Sequence, residues 1–308
     1  MKDETMQYEK EVFSLYRAKT GRRPVRAERL GGGYYADVYR MYTENGACPD
    51  VVKIYKTKGM MAQECASLAV LREHAIFPMP QVLWTQTAEE GCPLDVMAME
   101  YLAGQNGGGV RYFSKRKREK LAEQVTDNLL AWHSTVNPSG FGALNAKEFT
   151  PVWQTYYFEK AQGIFKTAQD LHNGGRFPSD ALQTMCTALE RFDSLFSQPI
   201  TQASLIHGDY NMWNVLVDKK ACAVTAVIDP CNCMWADSEM DLYQLNNANG
   251  KHLGLLEAYA RKRPLSENFG AKCAFYELFT ETEHYYHSGH SVDKMRVQMQ
   301  TDALKKYL

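Results

Sequence analysis

The sequence predicts an α+β protein of two lobes, a small β-rich one followed by a larger, mainly helical one. Two contrasts in hydrophobic pattern carry that reading. From Val25 to Leu102 the chain consists of short apolar runs bounded by turn residues, with one long helical stretch among them. Beyond Gly109 apolar residues recur mostly at helical spacing. Between the two regions lies Ala103-Gly104-Gln105-Asn106-Gly107-Gly108-Gly109, whose three consecutive glycines lose much backbone entropy on ordering. This stretch reads as a hinge or linker, giving lobes of residues 1–102 and 103–308 with a ligand cleft between them.

Each element has its own signal. Val12, Phe13, Leu15 and Tyr16 among charged neighbours make an amphipathic helix from about residue 5 to Thr20-Gly21. Strands are expected at Val25–Leu30, Val38–Tyr42 and Val51–Tyr55, the last two joined by an Asn45-Gly46 turn. A helix over Met60–His74 and strands at Gln81–Thr85 and Asp95–Leu102 complete the first lobe. Helices are expected at Lys115–His133, Val152–Leu171, Ser179–Phe196, Leu253–Arg261, Ala271–His287 and Ser291–Tyr307. One hairpin, Asn214–Asp218 with Cys222–Ile228, interrupts them.

Composition narrows the class. The 308 residues carry a formal net charge of -1, with 45% hydrophobic and 23% charged residues, as in ordinary soluble globular proteins. Bulk charge gives no drive toward nucleic acid or a membrane surface, and no partner of either kind is expected. The basic run Lys115–Lys120 is followed by Leu121, Val125 and Leu129, the pattern of a solvated helix start. The eight cysteines include no C-x-x-C pair and read as reduced thiols; Cys231 and Cys233 have no metal-binding partner pair nearby. Met1 to Lys10 is charged, unlike a secretory signal, and no run approaches the length needed to span a bilayer, so a cytoplasmic location is expected. The oligomeric state is left open.

The most informative stretch is Leu205-Ile206-His207-Gly208-Asp209-Tyr210-Asn211-Met212-Trp213-Asn214, followed by Val227-Ile228-Asp229-Pro230. It places Asp209, Asn214 and Asp229 in two strand-flanked loops. In kinase-type phosphoryl transfer one aspartate positions the attacking hydroxyl, while an asparagine and a second aspartate hold magnesium against the nucleotide phosphates. Asp209 is therefore the candidate catalytic residue and Asn214 and Asp229 the candidate Mg2+ ligands, hard oxygen donors suited to that ion. A single Asp-Asn turn before a strand is commonplace; three such residues at these spacings are not. Lys53 lies in an apolar strand and needs an anionic partner, for which Glu64 on the next helix is the candidate. That pair would aim the ammonium at the α- and β-phosphates of ATP. Gly31, Gly32 and Gly33 let backbone N–H groups approach phosphate oxygens, although a plain hairpin turn uses glycine too. His207 is read as structural, bonded to loop backbone.

These residues resemble a known family. His207-Gly208-Asp209 through Asn214, with Ile228-Asp229, is similar to the H-G-D-x-x-x-x-N and I-D pair of the aminoglycoside phosphotransferase-like kinases, within the protein-kinase-like superfamily. Gly31–Gly33, Lys53, Glu64 and Val96–Leu102 extend the likeness, and Ala131-Trp132-His133 resembles the family's L-A-x-L-H helix end. The resemblance implies a bilobal protein-kinase-like fold and an ATP- and Mg2+-dependent phosphotransferase. It also implies adenine contacts from the backbone near Glu100, Tyr101 and Leu102. Asp229-Pro230 and Glu239-Met240-Asp241-Leu242 are most similar to the fructosamine kinase branch. That branch carries tryptophan two residues after the catalytic aspartate; here Asn211 holds that place and the tryptophan is Trp213.

The expected acceptor is a small molecule with a hydroxyl, amine-containing or sugar-like, of the fructosamine/ketoamine or aminoglycoside type. Glu277, Glu281, Glu283, Asp237 and Glu239 could form an acidic wall for an amine, while Glu277 and Glu281 also fit an exposed helix face. Trp153, Tyr156 and Tyr157 could stack on a sugar or simply pack in the core. His284, His287 and His290 read as an ordinary helix end rather than a metal site. Alternatives are a choline- or homoserine-type kinase and a catalytically inactive nucleotide-binding regulatory module. A protein kinase is disfavoured because H-R-D, D-F-G and A-P-E segments are absent.

Overall fold

The protein is described from a computed structural model covering residues 8–88, 92–112 and 114–308. The expected start of the first helix at residues 5–7, and most of the charged amino terminus, lie outside the described residues. The chain runs α1 (Glu9–Thr20), β1 (Arg26–Gly32), β2 (Ala36–Thr43), β3 (Gly46–Tyr55), α2 (Met60–His74), β4 (Val82–Gln86) and β5 (Val96–Glu100). These strands form one antiparallel sheet in the order β1-β2-β3-β5-β4.

The apolar character of β3 follows from this layering. Val52 and Ile54 pack with Val12 and Tyr16 of α1 on one face; Val51 and Tyr55 pack with Leu68 and Leu71 of α2 on the other. A strand covered on both faces gains nothing from polar alternation. Lys53 shares the α2 side, because alternate residues of a strand point the same way. Helix α1 ends at Gly21 in the left-handed conformation (φ 71°), whose N–H bonds Arg17 O at 2.8 Å. Tyr16 fixes it to the sheet by donating to Asp50 Oδ1 at 2.8 Å.

The chain continues through β6 (Gln105–Asn106), α3 (Lys115–His133), β7 (Gly142–Ala143), α4 (Trp153–Asn173), α5 (Ser179–Glu190), α6 (Phe192–Leu195) and β8 (Ser204–Ile206). Then come β9 (Val215–Asp218), β10 (Ala223–Val227), β11 (Met234–Ala236), α7 (Gly250–Leu253), α8 (Leu255–Lys262), α9 (Phe269–Ser288) and α10 (Lys294–Lys305). Helices α4, α5, α9 and α10 pack together over an aromatic core in which Trp153, Tyr157, Phe275 and Tyr276 are buried. The two small sheets, β10-β9-β6 and β7-β11-β8, carry the loops after β8 and β10. Among the described residues no helix is long and apolar enough to cross a membrane.

Three expectations need correction. The helix expected over Ser179–Phe196 breaks at Arg191, and the one over Leu253–Arg261 divides at Gly254, which is left-handed at φ 71°. The short strands β6, β7, β8 and β11 span two or three residues each, too few to show a period. The glycine run is not a slack linker. Asn106 pairs with Leu216 of β9, and Gly107–Gly109 form a 3₁₀ turn in which Gly107 and Gly108 are buried. A Cβ on Gly107 would collide with Met212 and one on Gly108 with the indole of Trp213, whereas Gly109 has open space. Close approach, not flexibility, selects glycine there. Gly108→Ala should therefore lower stability by about 1–3 kcal/mol in urea titrations, while Gly109→Ala, exposed and unobstructed, should stay within about 0.5 kcal/mol of the parent.

Candidate active site

The floor of the site is a buried ion cluster. Lys53 and Glu64 are 5% and 6% exposed, with Lys53 Nζ 2.6 Å from Glu64 Oε2. Lys53 also pairs with Asp229 Oδ1, from the loop after β10. The Tyr55 hydroxyl donates to Glu64 Oε2 at 2.7 Å. Burial works against the Lys53 charge, but the carboxylates of Asp229 and Glu64 outweigh it, so its pKa lies above the ordinary lysine value. Burial pushes the Glu64 carboxyl up, and Lys53 reverses this only in part. The low-polarity surroundings also push Asp229 up, yet the adjoining ammonium leaves it below the usual aspartate value.

The loop after β8 is held from beneath by Asp241, which is fully buried. Its Oδ2 accepts the His207 N–H at 2.8 Å and its Oδ1 the Gly208 N–H at 2.7 Å. His133 Nε2 lies 3.2 Å from Asp241 Oδ2, and His133 Nδ1 lies 2.8 Å from the Tyr259 hydroxyl. Gly208 has φ 80°, and a Cβ there would overlap the carbonyl of Cys231. The same backbone approach brings the loop after β10 against the loop after β8. In the sequence Asp241 stands out only as part of the Glu239–Leu242 segment; an aspartate between Met240 and Leu242 is the available sign of a buried acid needing donors.

Asp209 is tied on both oxygens. Asn211 Nδ2 donates to Oδ1 at 2.8 Å, and Asn214 Nδ2 donates to Oδ2 and to the Asp209 carbonyl, each at 2.8 Å. Burial, then repulsion from Asp229, raises the Asp209 carboxyl to about 8 against the opposing amide bonds. His207 Nδ1 accepts the Asp209 N–H at 3.3 Å, and burial lowers the imidazole to about 4, leaving it neutral near pH 7. Because the Asn214 amide nitrogen is committed to Asp209, its Oδ1 is left as an acceptor. Asp229 is left-handed at φ 59°, and its side chain is 51% exposed. Asn214 Oδ1 and the Asp229 carboxylate, both on the cavity wall, are oxygen donors of the kind a hard divalent cation takes. Among the described residues no group of three or more His, Cys, Asp or Glu is placed to hold a metal ion.

A cavity of about 920 Å³ contains all of these residues. Gly31, Gly32 and Gly33 line it, with the first two inside β1 rather than in a loop; the turn is closed by the Gly33 N–H donating to Ala36 O at 2.9 Å. Gly32 has no room for a Cβ because the Asp37 carboxylate and Arg29 guanidinium meet over it at 2.8 Å. Glu100, Tyr101 and Leu102 also line the cavity. Two of their N–H groups are spent on the sheet, Glu100 to Gln81 O and Tyr101 to Pro49 O, both at 2.9 Å. The Leu102 N–H has no protein acceptor among the described residues.

The expected acidic wall is not assembled. Glu281 alone of the five acids lines the cavity. Glu283 pairs with Lys160 at 2.7 Å; Asp237 and Glu239 close on Lys272 at 2.7 and 2.8 Å, a buried cluster outside the cavity. Glu277 accepts from Gln300 at 3.4 Å. Trp153 and Tyr157 are core residues, Trp153 donating to the Tyr276 hydroxyl at 2.8 Å. Sequence reasoning missed Tyr34, Asn232 and Arg296, which line the cavity through the turn tip, the loop after Asp229 and α10. None lies in a motif, so no local signal marks them. Trp213 also lines it and is 54% exposed, while His284 joins from α9.

Comparison with known proteins places this arrangement. The uncharacterized protein YcbJ of Escherichia coli (strain K12) is 24% identical over 253 residues, 82% of this chain and 84% of its own length. A candidate fructosamine-3-kinase from Thermobifida fusca superposes with a TM-score of 0.66 at 22% identity, covering 96% of this chain and 98% of its own. The gentamicin complex of APH(2")-IIa superposes with a TM-score of 0.69 at 14% identity, covering 98% and 97%. At such identities these structures establish the kinase-like fold. The family model of the phosphotransferase enzyme family (APH) matches residues 26–264, and the chain belongs to that family.

Proposed function

We propose that this phosphotransferase moves the γ-phosphate of ATP to a hydroxyl of a small amine-containing or sugar-like acceptor, of the ketoamine or aminoglycoside kind. The observation that carries the reading is the gathering of Lys53, Asp209, Asn214 and Asp229 on one cavity. The glycine turn and the Glu100–Leu102 segment would take the nucleotide, with the Leu102 N–H available to the base. The two lobes would divide between residues 102 and 103. Eight free cysteines suit a reducing compartment, in keeping with a cytoplasmic location.

Asn214 and Asp229 would hold Mg2+, which when bound supplies positive charge against the phosphate oxygens. The protein's own groups do the rest. Lys53, already fixed by Glu64, presents its ammonium to the α- and β-phosphates. Asp209 orients the acceptor hydroxyl and takes its proton as the oxygen bonds to the γ-phosphorus. The bond from that phosphorus to the β–γ bridging oxygen breaks, and its electron pair leaves with ADP. Asn211 and Asn214 keep the Asp209 carboxylate aimed while this happens.

Asp209→Asn should cut turnover by about 100-fold or more in a coupled ADP-release assay. Calorimetry should find nucleotide affinity changed by no more than about twofold; near-normal turnover would remove Asp209 from this role. The raised Asp209 pKa also sets a pH dependence. Below about 8 the carboxyl is protonated and unable to accept, so kcat/KM at limiting nucleotide should rise by about tenfold per pH unit and then level off. A profile flat between about pH 5.5 and 8 would show that no such group must ionise.

A further inference from the structure

The turn between β1 and β2 does not stop at its own sheet. Tyr34, at its tip, reaches the helical lobe, where its hydroxyl donates to Glu281 Oε1 at 3.3 Å. Its ring lies 6.1 Å from His284, 6.0 Å from Tyr285 and 4.9 Å from His290, the last two met edge-on. Tyr35 adds an edge contact with His284 at 5.8 Å. Arg296 holds the other Glu281 oxygen at 3.2 Å, so the anchor is itself fixed. Residues 30–36 line the cavity on one side and Glu281, His284 and Arg296 on the other, and Tyr34 bridges them.

The glycines of this turn are not alike. Gly32 has no room for a Cβ, but Gly31 and Gly33 have open space around them, and neither lies in the left-handed region. In this conformation, then, neither packing nor backbone angle calls for glycine at those two positions. Backbone freedom on both sides of Gly32 suits a segment that takes up a second, lifted conformation. One hydrogen bond and a few ring edges are each modest, so the closed turn is favoured without being locked.

We infer that Tyr34 is an interlobe latch: docked on α9 and His290, it holds the glycine turn closed across the cleft and so gates nucleotide exchange. The nucleotide rests on the kinase reading above; the latch itself does not.

Exchange of N-methylanthraniloyl-ADP with Mg2+ present, followed by stopped-flow fluorescence on the full chain, tests the gate. Opening a gate raises the association and dissociation rate constants together, whereas losing a ligand contact raises dissociation alone. In Tyr34→Ala both constants should rise by about fivefold or more, with Kd within about threefold of the parent. His290→Ala acts from the far side of the latch, since His290 is exposed and lies outside the cavity lining. It should raise both constants by about twofold or more, and in the double variant it should add nothing to Tyr34→Ala. Unchanged constants in either variant, or a rise in dissociation alone, would overturn the latch and leave the nucleotide reading standing. Chymotrypsin supplies a reading without nucleotide. Cleavage after Tyr34 or Tyr35, located by mass spectrometry, should be about twofold or more faster in His290→Ala than in the parent; equal cleavage would also overturn the latch. A parent protein that binds no N-methylanthraniloyl-ADP would refute the nucleotide reading, and the cleavage rates would then decide the latch.

Discussion

A buried ammonium joins the two halves of this molecule. Lys53 lies on the inner face of β3, out of reach of bulk water, and such a charge persists only when paired. Glu64 on α2 supplies one partner, and Asp229, 176 residues along the chain, supplies the other. Loss of Glu64 would leave the ammonium to Asp229 alone. The constraint reaches outward. It sets the face that α2 turns to the sheet, requires Tyr55 to donate to Glu64, and keeps the loop after β10 beside the first lobe. Asp229 is more exposed than the other two, with its side chain half open to the cleft.

A second buried charge plays the matching part within the helical lobe. Asp241 gathers two backbone N–H groups and His133 around one carboxylate, so the turn carrying Asp209 is fixed from below by α3 and the 3₁₀ segment Ser238–Asn246. Asn211 and Asn214 then fix the Asp209 side chain from beside it. The carboxylate is therefore aimed by neutral amides rather than by a cation. That choice allows burial and the nearby Asp229 to keep its pKa high. His207, beside it in sequence, is kept neutral by the same burial and serves the loop backbone.

Close backbone packing does what flexible loops would not. Gly208 lets the loops after β8 and β10 touch, and Gly107 and Gly108 let the chain entering the second lobe pass against Met212 and Trp213. The segment after Leu102 is thereby anchored to the loop that carries Asp209. At the other end of the cleft the glycine turn reaches across to α9 and the segment just after it, where the Tyr34 ring lies 6.0 Å from Tyr285 and 4.9 Å from His290. The walls of the cavity thus come from both lobes, from residues far apart in the chain.

What the sequence determined by itself was local. The order of sheet and helices followed from hydrophobic period, and Asp209, Asn214, Asp229 and Lys53 stood out because their chemistry is written in short spacings or in a charge set among apolar neighbours. Even Glu64 was legible, since one helix after β3 limited the choice of partner. Tertiary structure decided which charges are free. Glu283, Asp237 and Glu239 are equivalent to Glu281 in sequence, yet lysines from α4 and α9 neutralise the first three, and Arg296 from α10 meets the last in the cavity wall. It also decided that Gly107 and Gly108 are packing contacts rather than parts of a hinge. Both outcomes depend on distances between segments distant in the chain. A sequence pattern encodes which face of an element is apolar, but not which neighbour's charge will come to rest against it.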